Sequence, residues 1–518
     1  MDVKRLLQNI GVVSIVLAGA RIFGFVREVI IVPRFGLSNV LDAWNIASTI
    51  PMVIALLLTT GVISAVFIPI FTKYIVNSDY KGLSKLIGVL SLIITVGFSV
   101  LVVIGFVFAK PIILLQTKPS TPPLTIDTAV RLFKIMMPTV LIMAWAGLLT
   151  AIHHSFNSFV RPAIGGLLLN VAVIGALYVL PRSAGVDALA WGFLAGSILQ
   201  LLIQVPGIFS KKMKLDVNCG FKHPALAGVV ALILPVLLGS GIQQIRFFFE
   251  KYLASGVAVG AVTAYTEAWK VGQLPLSIFV MTVSMVVFPL FAESVARNKP
   301  EALKRNVLWG MKLVSFIIIP AAIGVLVLSE PISVTLFMRG AVNFEQALRI
   351  AGPLAFFAVG LLPWAFAAIL LKVFYSLGDT KTPVWIACIT VPILVILELI
   401  LVRWGVIGIA VGSVIAAFIT MFLQVTVIRK KIGNFGLTSL IISVIKSTIS
   451  AGVMGVAVFF ISQKSVLLVD MTSNTGRILA LTFAIVIGVV IYISMMYLIN
   501  REELKSVFSG FTAKKASA

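Results

Sequence analysis

About fourteen long apolar segments follow one another along this chain of 518 residues, with only short polar stretches between them. Each segment has at least the roughly 20 residues that an α-helix needs to cross a bilayer. The composition agrees, because 60% of the residues are hydrophobic, 11% are charged, and the mean hydropathy is +1.12. The sequence therefore predicts an all-α polytopic membrane protein. The segments span residues 9–33, 42–73, 84–115, 127–155, 161–181, 186–209, 224–253, 259–292, 303–328, 345–376, 382–402, 406–429, 439–462 and 476–500.

The basic residues indicate how these segments are oriented. With both termini in the cytoplasm, the cytoplasmic ends and loops hold 22 lysines and arginines, and the opposite side holds 7. This bias follows the positive-inside rule and explains much of the formal net charge of +23. The first apolar run has no small-residue cleavage site, so we expect a retained helix rather than a signal peptide. Cys219 and Cys388 lie in or near membrane segments, and we assign them no redox or metal role.

Two parts of the chain share a spacing that predicts an internal repeat. Arg27 precedes Pro51 by 24 residues, and the same distance separates Lys251 from Pro275. The stretches that lead to the two prolines, LDAWNIASTIP and YTEAWKVGQLP, each contain an acid and a tryptophan. We predict two homologous six-helix lobes, an architecture known in transporters, followed by two extra helices with a cytoplasmic tail. These parts cover residues 1–210, 211–430 and 431–518.

Charged side chains inside the first two apolar segments predict a polar interior. Arg21, Arg27 and Glu28 lie within an otherwise apolar run, and Asp42 opens the second segment. A guanidinium at bilayer depth costs a few kcal/mol on insertion scales, unless it faces water or a partner. At about 100° per residue, the two arginines lie about 120° apart around the helix axis. That angle suits the border of one wide, hydrated cavity.

The second predicted lobe carries a similar set of charges. Arg246 and Lys251 flank Glu250, and Lys270 follows Glu267 by three residues. Cations in a hydrated central cavity suit phosphate oxygens, so we predict an anionic, phosphate-bearing substrate. The alternative is structural, with each base paired to its neighbouring acid or, for Lys251, reaching a membrane interface. The candidate binding residues are Arg21, Arg27, Lys270, Arg246 and Lys251.

The sequence predicts a transporter rather than an enzyme. It contains no phosphate-binding loop of the nucleotide-hydrolase type, no HExxH motif and no convincing catalytic triad, and we predict no cofactor or metal. Transport must then use an ion gradient or the membrane potential, which supplies about 2.3 kcal/mol per charge at 100 mV. Glu398 lies alone in VPILVILELILV, where it either binds a coupling cation, Na⁺ or a proton, or pairs with Arg403.

Seven stretches resemble the MurJ (MviN) family of lipid II flippases, in the same order and over nearly the whole chain. They are ARIFGFVREVIIVPRFGLSNVLDAWNIASTIP, VFIPIF, SFNSFVRPAIGGLLLNVAVI, QLPLSIFV, VVFPLFAE, LFMRGAVNF and FYSLGDTKTPV. The resemblance implies the fold of the multidrug/oligosaccharidyl-lipid/polysaccharide (MOP) exporters, with two six-helix lobes and two C-terminal helices that help form a groove for a lipid tail. It also implies that the chain flips lipid II, an undecaprenyl-pyrophosphate-linked disaccharide-peptide, to the outer leaflet of the bacterial cytoplasmic membrane.

The resemblance also implies roles for particular residues. Arg21 and Arg27 match the family's essential cavity arginines, and Asp42 matches its conserved first-lobe aspartate, so all three are expected in the substrate site. Lys270 stands where the family has a cavity arginine in the second lobe. The positive charge is kept there, but the bidentate guanidinium is lost.

The chain departs from the family pattern at two positions in its second segment. Ala55 stands where many relatives have arginine, and Thr60 stands where an acid is common. Either the phosphate site has fewer charged side chains than in those relatives, or other cations compensate for the loss. Glu398 falls near a ligand position of the sodium site described in the family, which implies a role in ion binding.

Three other functions remain open from the sequence. An exporter of another anionic undecaprenyl-linked saccharide would share the fold and the cavity charge. A MATE-like drug exporter would need acids in its cavity, whereas this chain offers mainly bases. A membrane enzyme acting on polyprenyl lipids would need a catalytic constellation. The expected partners are lipid II and membrane lipids, with no nucleic acid.

Overall fold

The structure is a computed structural model that describes residues 3–57, 66–209, 226–468 and 473–501, and these ranges contain helices and no strand. The helices are α1 Val3–Phe35, α2 Asn39–Ala47, α3 Thr49–Leu56, α4 Ile68–Val76, α5 Tyr80–Val107, α6 Ala109–Leu114, α7 Pro123–Ser155, α8 Val160–Val179, α9 Asp187–Leu202, α10 Val205–Phe209, α11 Leu226–Ser255, α12 Ala261–Gly272, α13 Met281–Ala296, α14 Pro300–Val327, α15 Ser329–Phe337, α16 Phe344–Ser376, α17 Lys381–Leu401, α18 Gly405–Ile432, α19 Leu437–Leu468 and α20 Asn474–Ile499.

Eleven helical stretches of the described residues are long and apolar enough to cross a membrane. One of them, Lys381–Ile432, holds two of the predicted segments, so the eleven stretches account for twelve of the predicted fourteen. The other two predicted segments coincide with α1 and α11, which are 33 and 30 residues long. The prediction of an all-α polytopic membrane protein is confirmed.

The helices pack into two compact units, Met1–Thr263 and Ala264–Ala518. In the first unit α5 packs on α7, α7 on α9, α8 on α9 and α1 on α8. In the second unit α14 packs on α16, α16 on α18, α17 on α18, and α19 on both α14 and α20. The predicted lobe boundary falls within residues 210–225, outside the described residues. The division into lobes at that boundary stays a prediction.

Residues with a left-handed backbone recur at a nearly constant distance along the chain. Ser78 and Asn298, with φ of 56° and 51°, are 220 residues apart, and so are Gly185 and Gly405. Two further pairs are 221 and 224 residues apart, namely Asn157 with Gly378 and Gly36 with Gly260. Most of these residues follow the end of a helix, where a left-handed residue lets the chain reverse. The recurring turns favour the predicted internal repeat.

Helices of equal length recur at nearly the same spacing along the chain. α5 and α14 both have 28 residues, and α7 and α16 both have 33. A short 3₁₀ turn precedes α9 at Arg182–Ala184, and another precedes α18 at Val402–Trp404. The helix pairs α5–α7 and α14–α16 therefore occupy equivalent places in the repeat.

Two glycines at equivalent positions allow close packing of neighbouring helices. A Cβ on Gly192 of α9 would lie 2.8 Å from the Cα of Val173 on α8. A Cβ on Gly412 of α18 would lie 2.8 Å from the Cγ of Glu398 on α17. In lipid, helices associate through close van der Waals contact, and small residues permit it because apolar burial alone gives little advantage there.

Asp379 connects the turn before α17 to the end of α18. Its carboxylate accepts hydrogen bonds from the backbone N–H of Thr382 at 2.9 Å and from the Thr382 hydroxyl at 2.6 Å. The ammonium of Lys431 lies 2.9 Å from Oδ2. Burial acts to raise the pKa of Asp379, but the Thr382 hydrogen bonds and Lys431 outweigh it. The pKa of Asp379 therefore lies well below its usual value.

The Asp379→Asn variant is expected to unfold at a lower temperature than the wild type at neutral pH. Because the folded-state pKa lies below the unfolded value of about 4, the ionised carboxylate stabilises the fold above about pH 4. That contribution is lost as the pH falls toward the folded-state pKa. Thermal unfolding in detergent from pH 7 to pH 3 should show a difference between the two proteins that shrinks on acidification.

Glu301→Gln serves as the control, because Glu301 pairs with Lys304 on the surface and its side chain is 81% exposed. An exposed pair of this kind contributes about 0–1 kcal/mol, so little change is expected. A difference between Asp379→Asn and the wild type that persists undiminished at the acid end would contradict the role of the ionised carboxylate.

Candidate functional site

Arg27 of α1 is held by two neighbours in the first unit. Its Nε and Nη2 donate to Oε1 of Glu28 at 3.1 and 2.5 Å, and its Nη1 donates to Oδ1 of Asn170 on α8 at 3.0 Å. The Arg27 side chain is 13% exposed and that of Glu28 is 7% exposed. The local pair that the sequence offered as an alternative is therefore formed. Arg21, six residues earlier on the same helix, is exposed.

Asn170 contacts the candidate residue Arg27, and the sequence reasoning missed it. Its Nδ2 donates to the carbonyl of Gly166 at 3.1 Å and reaches the carbonyl of Ala20 at 3.4 Å, while its Oδ1 accepts from Arg27. It thereby connects α8 to α1 at Ala20 and at Arg27. The available signal was a single amide inside the apolar stretch GGLLLNVAVI, where a polar side chain needs a partner.

Asp42 of α2 is buried and binds the beginning of α12. Its Oδ2 accepts from the backbone N–H of Gly260 at 2.6 Å. Its Oδ1 accepts from the backbone N–H of Thr263 at 2.8 Å and from the Thr263 hydroxyl at 2.7 Å. The first N–H groups of a helix have no partner within the helix, and an anion there is favoured. Asp42 therefore supplies the cap of α12 from another part of the chain.

A buried polar network continues from Asp42 to Lys251. The hydroxyl of Thr263 accepts from Nδ2 of Asn45 at 3.2 Å. The ammonium of Lys251 donates to the carbonyl of Asn45 and to the hydroxyl of Thr49, both at 2.7 Å. Lys251, predicted to bind substrate, thus contacts the break between α2 and α3. The sequence reasoning named the two charged ends of this network but not the three neutral residues between them.

Two further bases of the candidate set lie beside acids. Arg246 of α11 donates through Nε to Oε1 of Glu250 at 2.5 Å, and Glu250 is fully buried. In the second unit, Lys270 of α12 donates to Oε1 of Glu267 at 2.7 Å, and its side chain is 32% exposed. Both local pairs were the structural alternatives offered by the sequence. Part of the Lys270 side chain remains accessible.

Glu398 of α17 is fully buried in the second unit. Its Oε1 accepts from the hydroxyl of Ser413 on α18 at 2.9 Å, and the hydroxyl of Tyr265 lies 3.4 Å from that of Ser413. Arg403, the partner that the sequence offered as an alternative, instead lies over the ring of Trp404 at 5.5 Å. The Glu398 carboxyl group and the hydroxyl groups of Ser413 and Tyr265 thus form a short row of polar groups. A role in ion binding stays a prediction.

The candidate residues divide between the two units as follows. The first unit holds the exposed Arg21 and the contacts of Arg27, while Lys270 lies in the second.

Ala55, one of the two departures from the family pattern, lies half-buried in α3. Thr60, the other departure, lies outside the described residues. A guanidinium carries five N–H donors, so an arginine that is paired with a carboxylate can also donate to a phosphate oxygen.

The match to a family model extends over most of this chain. The model described as "Lipid II flippase MurJ" matches residues 31–475. The chain belongs to the MurJ family of lipid II flippases. A relative from Bdellovibrio bacteriovorus, named a probable lipid II flippase MurJ, is 26% identical over 523 residues, which cover 98% of this chain and 97% of that protein. A lipid II flippase MurJ of Burkholderia cenocepacia is 27% identical over 381 residues, covering 71% of this chain and 73% of that protein.

Solved structures agree on the fold. A lipid II flippase MurJ in an inward closed conformation matches with a TM-score of 0.80 at 22% identity, over 95% of this chain and 99% of that chain. An inward-facing MATE multidrug transporter of the MOP superfamily matches with a TM-score of 0.71 at 15% identity, over 81% of this chain and 96% of that chain. The resemblance to MurJ and the MOP fold are confirmed, and MurJ members share this fold with drug transporters.

Proposed function

We propose that this chain flips lipid II from the cytoplasmic to the outer leaflet of the bacterial cytoplasmic membrane. The observation that supports this most directly is the match of residues 31–475 to the lipid II flippase family model. The curated relatives named above are lipid II flippases or probable ones, and the first covers almost the whole chain. The many apolar helices agree with a multi-pass membrane protein, and the loop charges support cytoplasmic termini.

In this proposal the pyrophosphate of lipid II is bound by the bases of α1. Arg21 is exposed, and Arg27 presents a guanidinium that the bonds to Glu28 and Asn170 hold in one orientation. A preoriented guanidinium loses less side-chain entropy when it binds a phosphate. Lys270, in the second unit, is a separate candidate base that can bind a phosphate oxygen as a point charge, without bidentate geometry. The site alternates in access between the two leaflets.

In this proposal the membrane potential supplies the energy for flipping, and the movement of a cation is coupled to it. Glu398 is the candidate to bind this cation, because its carboxyl group is buried beside hydroxyl groups. The carboxylate and hydroxyl oxygens can bind Na⁺, or the carboxylate can take up a proton. Measuring flipping in proteoliposomes at fixed potential, with and without an imposed Na⁺ gradient and with and without an imposed pH gradient, tests this part separately. No dependence on either Na⁺ or pH would remove Glu398 from the mechanism.

The test of the proposed function is genetic and biochemical at once. The chain is expressed in a bacterium whose own lipid II flippase is depleted, and the amount of lipid II reaching the outer leaflet is measured. Restored growth together with restored exposure of lipid II supports the proposal. If the protein is present in the membrane and the cells still lyse, then it exports another lipid-linked saccharide or a drug.

A further inference from the structure

Pro320 leaves a carbonyl without its usual partner inside α14. Proline has no N–H, so the carbonyl four residues earlier, that of Phe316, receives no hydrogen bond from position 320. Inside a membrane no water is available to donate a hydrogen bond to such a carbonyl, and an unsatisfied backbone group there costs free energy. A side chain from a neighbouring helix can then supply the donor.

Tyr492 of α20 supplies that donor. Its hydroxyl donates to the carbonyl of Phe316 at 2.9 Å, and the two rings contact each other with centroids 5.4 Å apart. Tyr492 is only 4% exposed and belongs to a cluster with Met454 of α19 and Ile319 of α14. The hydroxyl therefore reaches the main chain of α14 at the turn that the proline interrupts.

A second polar contact connects α20 to the same unit. Arg477, near the start of α20, is 7% exposed, and its Nη1 donates to the carbonyl of Met338 at 2.8 Å. Met338 directly follows α15, and the last carbonyls of a helix lack partners within the helix and favour a cation. Arg477 and Tyr492 are 15 residues apart, which is about 22 Å along a helix. Two distant points of α20 are thus bonded to main-chain carbonyls.

We propose that Tyr492 is a positioning residue whose hydroxyl replaces the N–H donor that Pro320 lacks at the carbonyl of Phe316, and that Tyr492 and Arg477 together fix the position of α20 against α14 and α15. Lipid tails are as apolar as the faces of these helices, so van der Waals packing and interhelical hydrogen bonds hold helices together in a membrane. Hydrogen bonds to carbonyls that lack helical partners add to the packing of α20 and fix its position along α14 and α15. The inference concerns the two C-terminal helices and does not depend on the proposed function.

The test is hydrogen exchange on the full chain in lipid nanodiscs. Tyr492→Phe removes only the hydroxyl, so exchange of the α14 amides around Pro320 is expected to accelerate by about 5- to 30-fold. In the Pro320→Ala background the backbone supplies the donor itself, and there Tyr492→Phe is expected to change exchange by less than about twofold. A general packing role for Tyr492 would not depend on Pro320.

Tyr497→Phe is the matched control, because Tyr497 lies on the same helix and is 49% exposed. It is expected to leave exchange in α14 unchanged. The proposal is overturned if Tyr492→Phe has no effect, or has the same effect in both backgrounds. If Pro320→Ala is not produced, the comparison of the two tyrosine variants decides alone: acceleration that is absent, or spread evenly over the chain, overturns the proposal.

Discussion

Cells that depend on the Arg27→Ala variant as their flippase are expected to stop growing and lyse, although the protein is present in the membrane. The substitution removes a guanidinium proposed to bind pyrophosphate, and a charge-assisted hydrogen bond is worth about 1.5–3 kcal/mol, or about 10- to 150-fold in binding. It also leaves the carboxylate of Glu28, 5% exposed, without its ion pair to Arg27. Growth and the lipid II exposed on the outer leaflet are the measurements.

The double variant Arg27→Ala with Glu28→Gln separates the two effects. If Arg27 only neutralises Glu28, removing both charges restores growth, and the assigned role in substrate binding is wrong. If Arg27 binds the substrate, the double variant remains inactive, whereas Glu28→Gln alone supports growth because Arg27 keeps its charge and its bond to Asn170. Arg131→Ala is the matched control, since Arg131 pairs with Asp187 at 3.1 Å but is 59% exposed. Such a surface pair is worth about 0–1 kcal/mol.

Asp42→Asn is expected to destabilise the protein by about 1–3 kcal/mol, because one of the two buried carboxylate oxygens that accept three hydrogen bonds at the start of α12 becomes an NH2 group. The NH2 group of the asparagine would face the N–H of Gly260 or that of Thr263, depending on the orientation of the amide, and that N–H would lose its acceptor. The amount of folded protein and its resistance to heating in detergent are the measurements. Thr263→Val removes the hydroxyl that donates to Asp42 and accepts from Asn45, but it keeps both backbone bonds to Asp42, so it should have a smaller effect.

Asp79→Asn gives a matched comparison for Asp42→Asn. Asp79 also caps a helix, since it accepts from the N–H of Gly82 at 2.8 Å, but it is exposed. A cap of this kind is worth about 1 kcal/mol. An Asp42→Asn protein as stable as the wild type but unable to support growth would assign Asp42 to substrate binding, as the family resemblance implied, and not to the cap.

The local ion pairs of the site were predictable because a helix brings residues three or four positions apart onto one face. Arg246 with Glu250 and Lys270 with Glu267 are of this kind, and both pairs form. Whether a base that is paired in this way remains accessible to the substrate was not predictable. The exposure that separates Arg21 from Arg27 depends on which neighbouring helix covers each side chain, and α8 covers Arg27 through Asn170.

The sequence by itself determined the all-helical membrane class, the approximate helices and the spacing of the repeat, because hydrophobic length and the positions of turn residues are local properties. Only the tertiary structure decided the long-range polar contacts. Asp42 binds Thr263 and Lys251 binds Thr49, across 221 and 202 residues of chain. Tyr492 binds the carbonyl of Phe316 across 176 residues. A buried polar group takes whichever partner the packed helices place beside it, and helical periodicity carries no information about that choice.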